Sequence, residues 1–370
     1  MKKIVRRKSR TIRIGRVEIG GNNPVAIQSM AKTRTADIES TVKQIKELEA
    51  AGCEIVRLAV KDIQDARALK KIKQNTAIPL VADIHFNWRF AIEAIDSGID
   101  KIRLNPGNIY RKEQVREIAK AAKLAGIPIR VGLNSGSLPG GAHSKIKDVP
   151  GAMTRSALAY SRILEKAGFS DIVVSLKASN IIDTIEAYRR MAKLCDYPFH
   201  LGVTATGPWN FGIIKSSIAV GSLLLEGLGD TIRISLTDQP REEVKIARII
   251  LESIGLRRFH PEIISCPTCG RCEIELIKLV KEFENKLNHS PVSRAVSSGG
   301  RKALKIALMG CLVNGPGEAK DADIGVAFGK KEGLLFKKGK PVKKVSFINC
   351  SDVLLKELEK INGPRIKREN

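Results

Sequence analysis

The stretch Ala51-Gly-Cys-Glu-Ile-Val-Arg-Leu-Ala-Val60 holds a helix stop, a short link and a buried strand in succession. Gly52 supplies the left-handed residue that ends a helix. Ile55–Val60 is an apolar, β-branched run of strand length, interrupted only by Arg57. The unit recurs outward in both directions. Apolar runs stand at Pro24–Met30, Pro79–His85, Lys101–Asn105, Ile127–Asn134, Asp171–Ser179, Pro198–Thr206 and Thr231–Asp238, and the helix stop repeats at Ser97-Gly98, Ala125-Gly126 and Ala167-Gly168. Between them the helical period is visible, for example at Ile38, Val42, Ile45 and Leu48. Strand and helix alternating through residue 240 predict an α/β fold, a (β/α)8 barrel of TIM type over residues 1–258. A doubly wound open sheet is the alternative, disfavoured because no dinucleotide fingerprint accompanies the strands. Residues 259–370 read as a smaller α/β domain with strands at Leu304–Met309 and Ile324–Phe328, a hairpin over Gly333–Val345 and a terminal helix from Ser351. Ser297 to Gly300 reads as a loop within it.

Cations interrupt five of the barrel strands: Arg57, Arg103, Arg130, Lys177 and Arg233. Asn105, Ser179 and Ser235 follow two residues after three of them, and Asp83 and His85 form a similar pair, with Asn134 closing its own strand. Residues two apart share a strand face. In a barrel that face is the lumen near the carboxyl ends, where active sites lie. Asp83 is the one obvious acid among them, so the cations imply an absent anion. Guanidinium groups match phosphate oxygens in bidentate fashion, and a ligand with one phosphate or, better, two fits.

The smaller domain carries Ser265-Cys-Pro-Thr-Cys269-Gly and Met309-Gly-Cys311-Leu-Val-Asn-Gly-Pro-Gly-Glu318. Cys-x-x-Cys brings two thiolates to one metal centre, Cys311 offers a third on a Gly- and Pro-rich turn, and Glu318 offers a hard oxygen. A structural zinc knuckle would want another Cys or His, and the only downstream His is His289. Cys272 leaves a second reading open: Cys266, Cys269 and Cys272 imitate a ferredoxin run, with Cys311 as fourth ligand and Glu318 a surface acid. The alternative for Cys272 is packing at a helix start over Arg271–Leu276.

The 370 residues are 43% hydrophobic but only 4% aromatic, as suits an aliphatic parallel α/β core. The seven cysteines are spaced for metal rather than for a disulfide framework, which points to a reducing cytoplasm. Neither a secretory leader nor a run of transmembrane length is indicated. The net charge of +25 is attributed mainly to solvated stretches: the first sixteen residues, Lys337 to Lys344, and Lys356 to Arg368. Without interleaved aromatics this favours anionic small molecules or an acidic protein over nucleic acid.

Taken with Ile27-Gln-Ser-Met30, Thr33-Arg-Thr35, Val81-Ala-Asp-Ile-His-Phe86, Arg103-Leu-Asn-Pro-Gly-Asn108, Val174-Ser-Leu-Lys-Ala-Ser179 and Glu226-Gly-Leu-Gly-Asp-Thr231, the two cysteine motifs resemble the 4-hydroxy-3-methylbut-2-enyl diphosphate synthases over nearly the whole chain. The resemblance implies the two-domain bacterial form of an iron–sulfur oxidoreductase of isoprenoid biosynthesis by the methylerythritol phosphate route. The implied reaction is reductive ring opening and dehydration of 2-C-methyl-D-erythritol 2,4-cyclodiphosphate. It implies a 4Fe-4S cluster on Cys266, Cys269, Cys311 and Glu318, with Glu318 the replaceable, catalytic ligand. It implies substrate contacts from Arg57, Asp83, Arg103, Asn105, Arg130, Asn134, Lys177, Arg233 and Ser235. Ferredoxin or flavodoxin would donate electrons to a homodimer in which one subunit's cluster domain serves its partner's barrel, with neither nucleic acid nor membrane as a partner. Two departures stand out: Ala205 occupies a place where the family usually has Glu, and the Cys269–Cys311 spacer is longer. Without that Glu, Thr204 and Thr206 are expected to hold a water fed by Asp83 or His85. A cluster-bearing paralogue with another phosphorylated substrate, a class I aldolase using Lys177 and a zinc-stabilised nucleic-acid binder are the competing readings.

Overall fold

The structure, a computed structural model, describes residues 4–138, 146–293, 304–313, 315–330 and 332–362, and leaves the side chains of 316, 318 and 362 undescribed. The segment around Ser297 to Gly300 and the end of the basic tail lie outside the described residues. The chain divides into two compact units, Met1–Arg257 and Arg258–Asn370.

In the first unit the strands are β3 (Ala26–Met30), β4 (Ile55–Val60), β5 (Leu80–Ile84), β6 (Lys101–Leu104), β7 (Ile129–Asn134), β8 (Ile172–Lys177), β9 (His200–Leu201) and β10 (Thr231–Ile232). They form one parallel sheet in the order β8-β7-β6-β5-β4-β3-β10-β9. A parallel bridge between Val174 and Phe199 joins the two ends and closes the barrel. Helices α1 (Ile38–Ala50), α2 (Ile63–Gln74), α3 (Arg89–Asp96), α4 (Lys112–Ala125), α5 (Val149–Lys166), α6 (Ile181–Ala192), α7 (Trp209–Leu225) and α8 (Pro240–Ser253) connect them. The glycines after α1, α3, α4 and α5 all adopt positive φ, between 65° and 94°, which is why the same helix stop recurs in the sequence.

Two strands are shorter than expected. Of Pro198–Thr206 only His200–Leu201 is strand, and of Thr231–Asp238 only Thr231–Ile232. Beyond them the backbone leaves the ladder and donates sideways, Thr204 N to Ala178 O at 3.3 Å and Arg233 N to Leu201 O at 3.0 Å.

The N-terminal segment departs from the expectation of a solvated basic stretch. β1 (Ile12–Ile14) and β2 (Val17–Ile19) form an antiparallel hairpin. Ile12, Ile14 and Ile19 pack with Ala26, Ile55, Val81 and Val173 in one buried cluster at the amino ends of the strands. Ahead of the hairpin the arm is tied down: Arg6 pairs with Asp230 at 2.7 Å. Arg7 donates to the Cys195 carbonyl at 2.8 Å and lies over the Phe199 ring. Apolar residues at alternate positions closing the floor outweigh the basic composition around them.

The second unit is a five-stranded sheet, β11 (Glu262–Ser265), β12 (Lys305–Met309), β13 (Ile324–Phe328), β14 (Gly333–Lys337) and β15 (Lys340–Val345), in sequence order. The first three strands run parallel and the last two form an antiparallel hairpin. Helices α9 (Leu276–Asn288) and α10 (Cys350–Asn362) contribute Leu276, Leu279, Phe283, Leu354 and Leu358 to its larger core. A smaller cluster includes Ala307, Met309, Ala319, Ala327 and Phe336. Strand β11 had no sequence signal of its own; the expected helix start over Arg271–Leu276 is displaced to Leu276 itself.

Candidate functional site

Register fixes which barrel residues share the lumen. Arg57 pairs with Met30, and Ala59 with Asp83. Asp83 pairs with Arg103, Arg103 with Arg130, Asn134 with Lys177 and His200 with Thr231. Alternation along each strand puts these side chains on one face. Arg57, Arg103, Arg130 and Lys177 are all buried, and Arg233 is half-buried. Arg103 donates to Asp83 at 3.0 Å and to the Gly132 carbonyl at 2.6 Å. A Cβ on Gly132 would stand 2.6 Å from Arg103 Nε, so the close passage of this guanidinium requires glycine there. Arg57 lies 3.6 Å from the other Asp83 oxygen. Asn105 Oδ1 accepts from Gly107 N and Ser137 Oγ, and Asn134 caps the turn containing Ser137.

The reading from sequence missed four members of this lumen. Lys101 and His200 are fully buried on the same faces, and Gln28 is 1% exposed. Glu243, from the first turn of α8, is 1% exposed and lies 3.7 Å from Arg233 and 3.3 Å from Lys32. Asp83 is therefore not the only acid. Glu243 was hidden because Glu242-Glu243 reads as ordinary acidic residues at a helix start. Even so, among the described residues six cations (Arg57, Lys101, Arg103, Arg130, Lys177 and Arg233) face two acids. Lys101 Nζ, both Gln28 amide atoms, and Nε of Arg103, Arg130 and Arg233 have no hydrogen-bond partner. Burial raises the Asp83 carboxyl pKa but its cationic neighbours overcome this and hold it far below the usual range. Burial and the surrounding guanidiniums push Lys177, Lys101 and His200 the other way, toward their neutral forms. Such a lumen is built to receive anionic charge.

Three groups of the expected water relay are already engaged. Asp83 is fixed as carboxylate, and Thr206 donates its hydroxyl to the Ser235 carbonyl at 2.6 Å. His85 Nδ1 lies 3.2 Å from the Val60 carbonyl. Ala205 is exposed, with φ at 52°.

In the second unit the cysteine motifs follow two adjacent parallel strands: Cys266 comes directly after β11, and Gly310-Cys311 after β12. Crevices outside the carboxyl ends of parallel strands are where α/β sheets place ligands. Gly310 N donates to Cys266 Sγ at 3.4 Å, Glu273 N donates to Gly310 O at 3.0 Å, and a Cβ on Gly310 would collide with Cys272 Sγ. Cys266, Cys272 and the residue preceding Cys311 are thus brought together, while Cys269 is exposed at the tip of its turn. Thr268 in that turn has φ 63°, a strained conformation for a β-branched residue. A backbone N–H directed at a thiol sulfur, glycine where the chain passes close, and solvent-facing Cys269 suit a cluster held by thiolates. Among the described residues no group of three or more His, Cys, Asp or Glu stands preassembled for a metal ion. Glu318 ends a four-residue helical turn, Gly315–Glu318, and its side chain lies outside the described atoms. Cys272 packs against the larger core, its Sγ 3.3 Å from the Ile274 carbonyl.

Comparison with known proteins matches residues 9–248 to the GcpE TIM-barrel domain and residues 262–360 to the GcpE protein C-terminal domain. The chain is 51% identical to a 4-hydroxy-3-methylbut-2-en-1-yl diphosphate synthase (flavodoxin) from Caldanaerobacter subterraneus subsp. tengcongensis, across 96% of this chain and 98% of that one. It is 50% identical to proteins of the same name from Thermodesulfovibrio yellowstonii (96% and 100% covered) and Clostridium perfringens (96% and 99%). Among solved structures, dihydropteroate synthase from Stenotrophomonas maltophilia is similar with a TM-score of 0.50 at 14% identity, covering 65% of this chain and 98% of that one. At that identity the likeness concerns the barrel fold alone.

Proposed function

Since this chain belongs to the GcpE family through both of its units, we infer that it is an iron–sulfur oxidoreductase of isoprenoid biosynthesis. It converts 2-C-methyl-D-erythritol 2,4-cyclodiphosphate to 4-hydroxy-3-methylbut-2-enyl diphosphate, the product its relatives are named for. The aldolase, nucleic-acid and shifted-substrate readings find no support among relatives that share one name. One observation carries the substrate assignment: among the described residues, six buried or half-buried cations face two acids in the barrel lumen.

Arg57, Arg103, Arg130, Lys177 and Arg233 bind the two phosphates, with Asn105, Asn134 and Ser235 at the rim. Asp83 orients Arg57 and Arg103 rather than transferring a proton, since it stays ionised. Holding both phosphates fixes the bond to be opened relative to the reductant and converts binding energy into orientation. Cys266, Cys269, Cys311 and Glu318 are the residues we assign to a 4Fe-4S cluster, with Cys272 outside its ligand set. When bound, that cluster supplies the two electrons one at a time and polarises a carbon–oxygen bond. Flavodoxin, printed in the relatives' names, is the electron donor we assign. A thiolate-held cluster of this kind belongs in the reducing cytoplasm.

Arg103→Ala tests the site. The loss of a charge-assisted contact of roughly 1.5–3 kcal/mol predicts about ten- to a hundredfold weaker substrate capture, with cluster absorption unchanged. An unaltered Michaelis constant and rate remove Arg103 from the site. We further propose a homodimer in which each cluster domain serves the partner's barrel. It is supported by the outward stripe Phe211, Ile214, Ile218 and Leu225 on α7, each 49–62% exposed, a face that a second copy would cover. Mixing an Arg130→Ala subunit with a Cys311→Ser subunit should restore part of the activity; full activity from a dilute monomer contradicts the arrangement.

A further inference from the structure

We propose that capture of the cyclic diphosphate draws a proton into the barrel onto Lys177, and that His200 is the positioning residue that holds this amine ready to receive it. The proposal rests on the diphosphate reading above and adds a protonation step to it.

A side-chain chain crosses three strands. Lys177 Nζ on β8 lies 3.3 Å from His200 Nε2 on β9, and His200 Nδ1 lies 2.8 Å from Thr231 Oγ1 on β10. Its anchor is Tyr188 on α6, whose hydroxyl donates to the His200 carbonyl at 2.5 Å and accepts from Leu176 N at 3.0 Å. Lys177, His200, Thr231 and Tyr188 are each no more than 4% exposed. A Cβ on Gly202 would stand 2.9 Å from Lys177 Nζ, so the backbone beside the amine is cut back to let it pass.

The charges around Lys177 oppose an ammonium while the lumen lacks an anion. Arg57, Arg103 and Arg130 face it from β4, β6 and β7, Arg233 faces it from just beyond β10, and Lys101 lies among the same groups. Of the two acids, Asp83 is engaged by Arg57 and Arg103. Glu243 is engaged by Arg233, Lys32 and Ser29. Neither pairs with Lys177. His200 is itself held neutral by burial, Arg130, Lys177, Lys101 and Arg57. In the tautomer assigned by the proposal, Nδ1–H donates to Thr231 Oγ1 and the neutral imidazole keeps its Nε2 lone pair for the amine. Lys177 is lowered by burial first and by the guanidiniums next. Two negative charges placed among these cations reverse the second cause, and the amine takes a proton. The ligand cannot be the source of the change. Each phosphorus of a cyclic diphosphate carries one strongly acidic hydrogen, already lost near neutrality.

The sign follows. Below the pKa of Lys177 in the ligand-free protein the amine is already charged and affinity is flat. Between that value and the raised pKa of the complex, binding takes up one proton, and affinity falls about tenfold per pH unit. The test titrates oxidised holoenzyme, without reductant, with the cyclic diphosphate at about pH 7 to 9 in buffers of different ionisation enthalpy. Wild type should show uptake approaching one proton per site wherever in this range affinity falls with pH. Lys177→Arg, charged throughout, should abolish the uptake and flatten the pH dependence. His200→Gln, which keeps an acceptor near the Nε2 position, should retain uptake with near-native affinity. His200→Ala should weaken binding at least tenfold, with cluster absorption and the circular dichroism of the fold intact. Zero uptake with pH-independent affinity in wild type overturns the proposal and leaves the diphosphate reading standing. Uptake that persists in Lys177→Arg and disappears in Lys101→Met overturns the assignment to Lys177. No binding at any pH sinks both.

Discussion

Cys272 and Cys311 separate two kinds of cysteine within one turn region. Cys272 is packed against the core and against Gly310, whereas Cys311 follows the end of β12. Replacing Cys272 by Ser should leave iron content and activity largely intact, and Cys311→Ser should strip the cluster; equal iron loss in both would redraw the ligand set. Thr268 gives a second prediction. A β-branched residue at φ 63° costs on the order of 1–3 kcal/mol, and glycine carries no such penalty. Thr268→Gly should therefore raise the melting temperature of the cluster-free protein; a fall would place the threonine's value in contacts rather than strain. At this scale the sequence was most readable where chemistry broke a pattern. Arg57, Arg103, Arg130 and Lys177 stand out because, with Arg233, they converge from five strands with Asp83 the one obvious acid to pair them. His200, Lys101 and Glu243 were silent because each sits at an element's end, where a polar residue is unremarkable. Glu318 stood out by its motif, not by any placed side chain.

At the scale of elements, a helix stop repeated with the same left-handed glycine made the barrel readable, and the C-terminal hairpin stands where it was read, over Gly333–Val345. The floor hairpin was not, because three-residue strands among arginines carry little periodic signal. Its weight can be measured. Ile14 is fully buried in the floor cluster, so Ile14→Ala should destabilise the first unit by about 2–5 kcal/mol in denaturant titration. A loss under 1 kcal/mol would make the hairpin an ornament. In the second unit Glu357 on α10 gathers Lys337 at 2.6 Å, Lys360 at 3.1 Å and Lys343 at 3.3 Å. Hydrogen bonds from Lys337 and then Lys360 lower its carboxyl to about 2. A depressed acid contributes stability above its unfolded value of about 4.3 and loses it as pH falls through the folded one. The melting-temperature gap between wild type and Glu357→Gln, open at pH 7, should narrow between about pH 4.5 and 2. A gap that persists unchanged to pH 2 would leave the three lysines without effect.

For the molecule as a whole, the +25 charge and the relatives' flavodoxin make one expectation together. Reduction by an acidic carrier should slow as salt rises, because screening removes steering, while reduction by an uncharged small molecule should not. Equal salt dependence would detach the charge from electron delivery. Ile218→Glu on the outward face of α7 should likewise lower the sedimentation coefficient if that face joins two copies. The arm ahead of the floor hairpin bears on how the chain is made. Arg6 and Arg7 leave the ribosome well before their partners, Asp230 and the Cys195 carbonyl. At about 5–20 residues per second, the arm waits on the order of tens of seconds for the strands it will seal. The arm is therefore made before the strands it docks on, and a nascent chain halted short of Asp230 carries an unsealed barrel floor whatever its helices have already achieved.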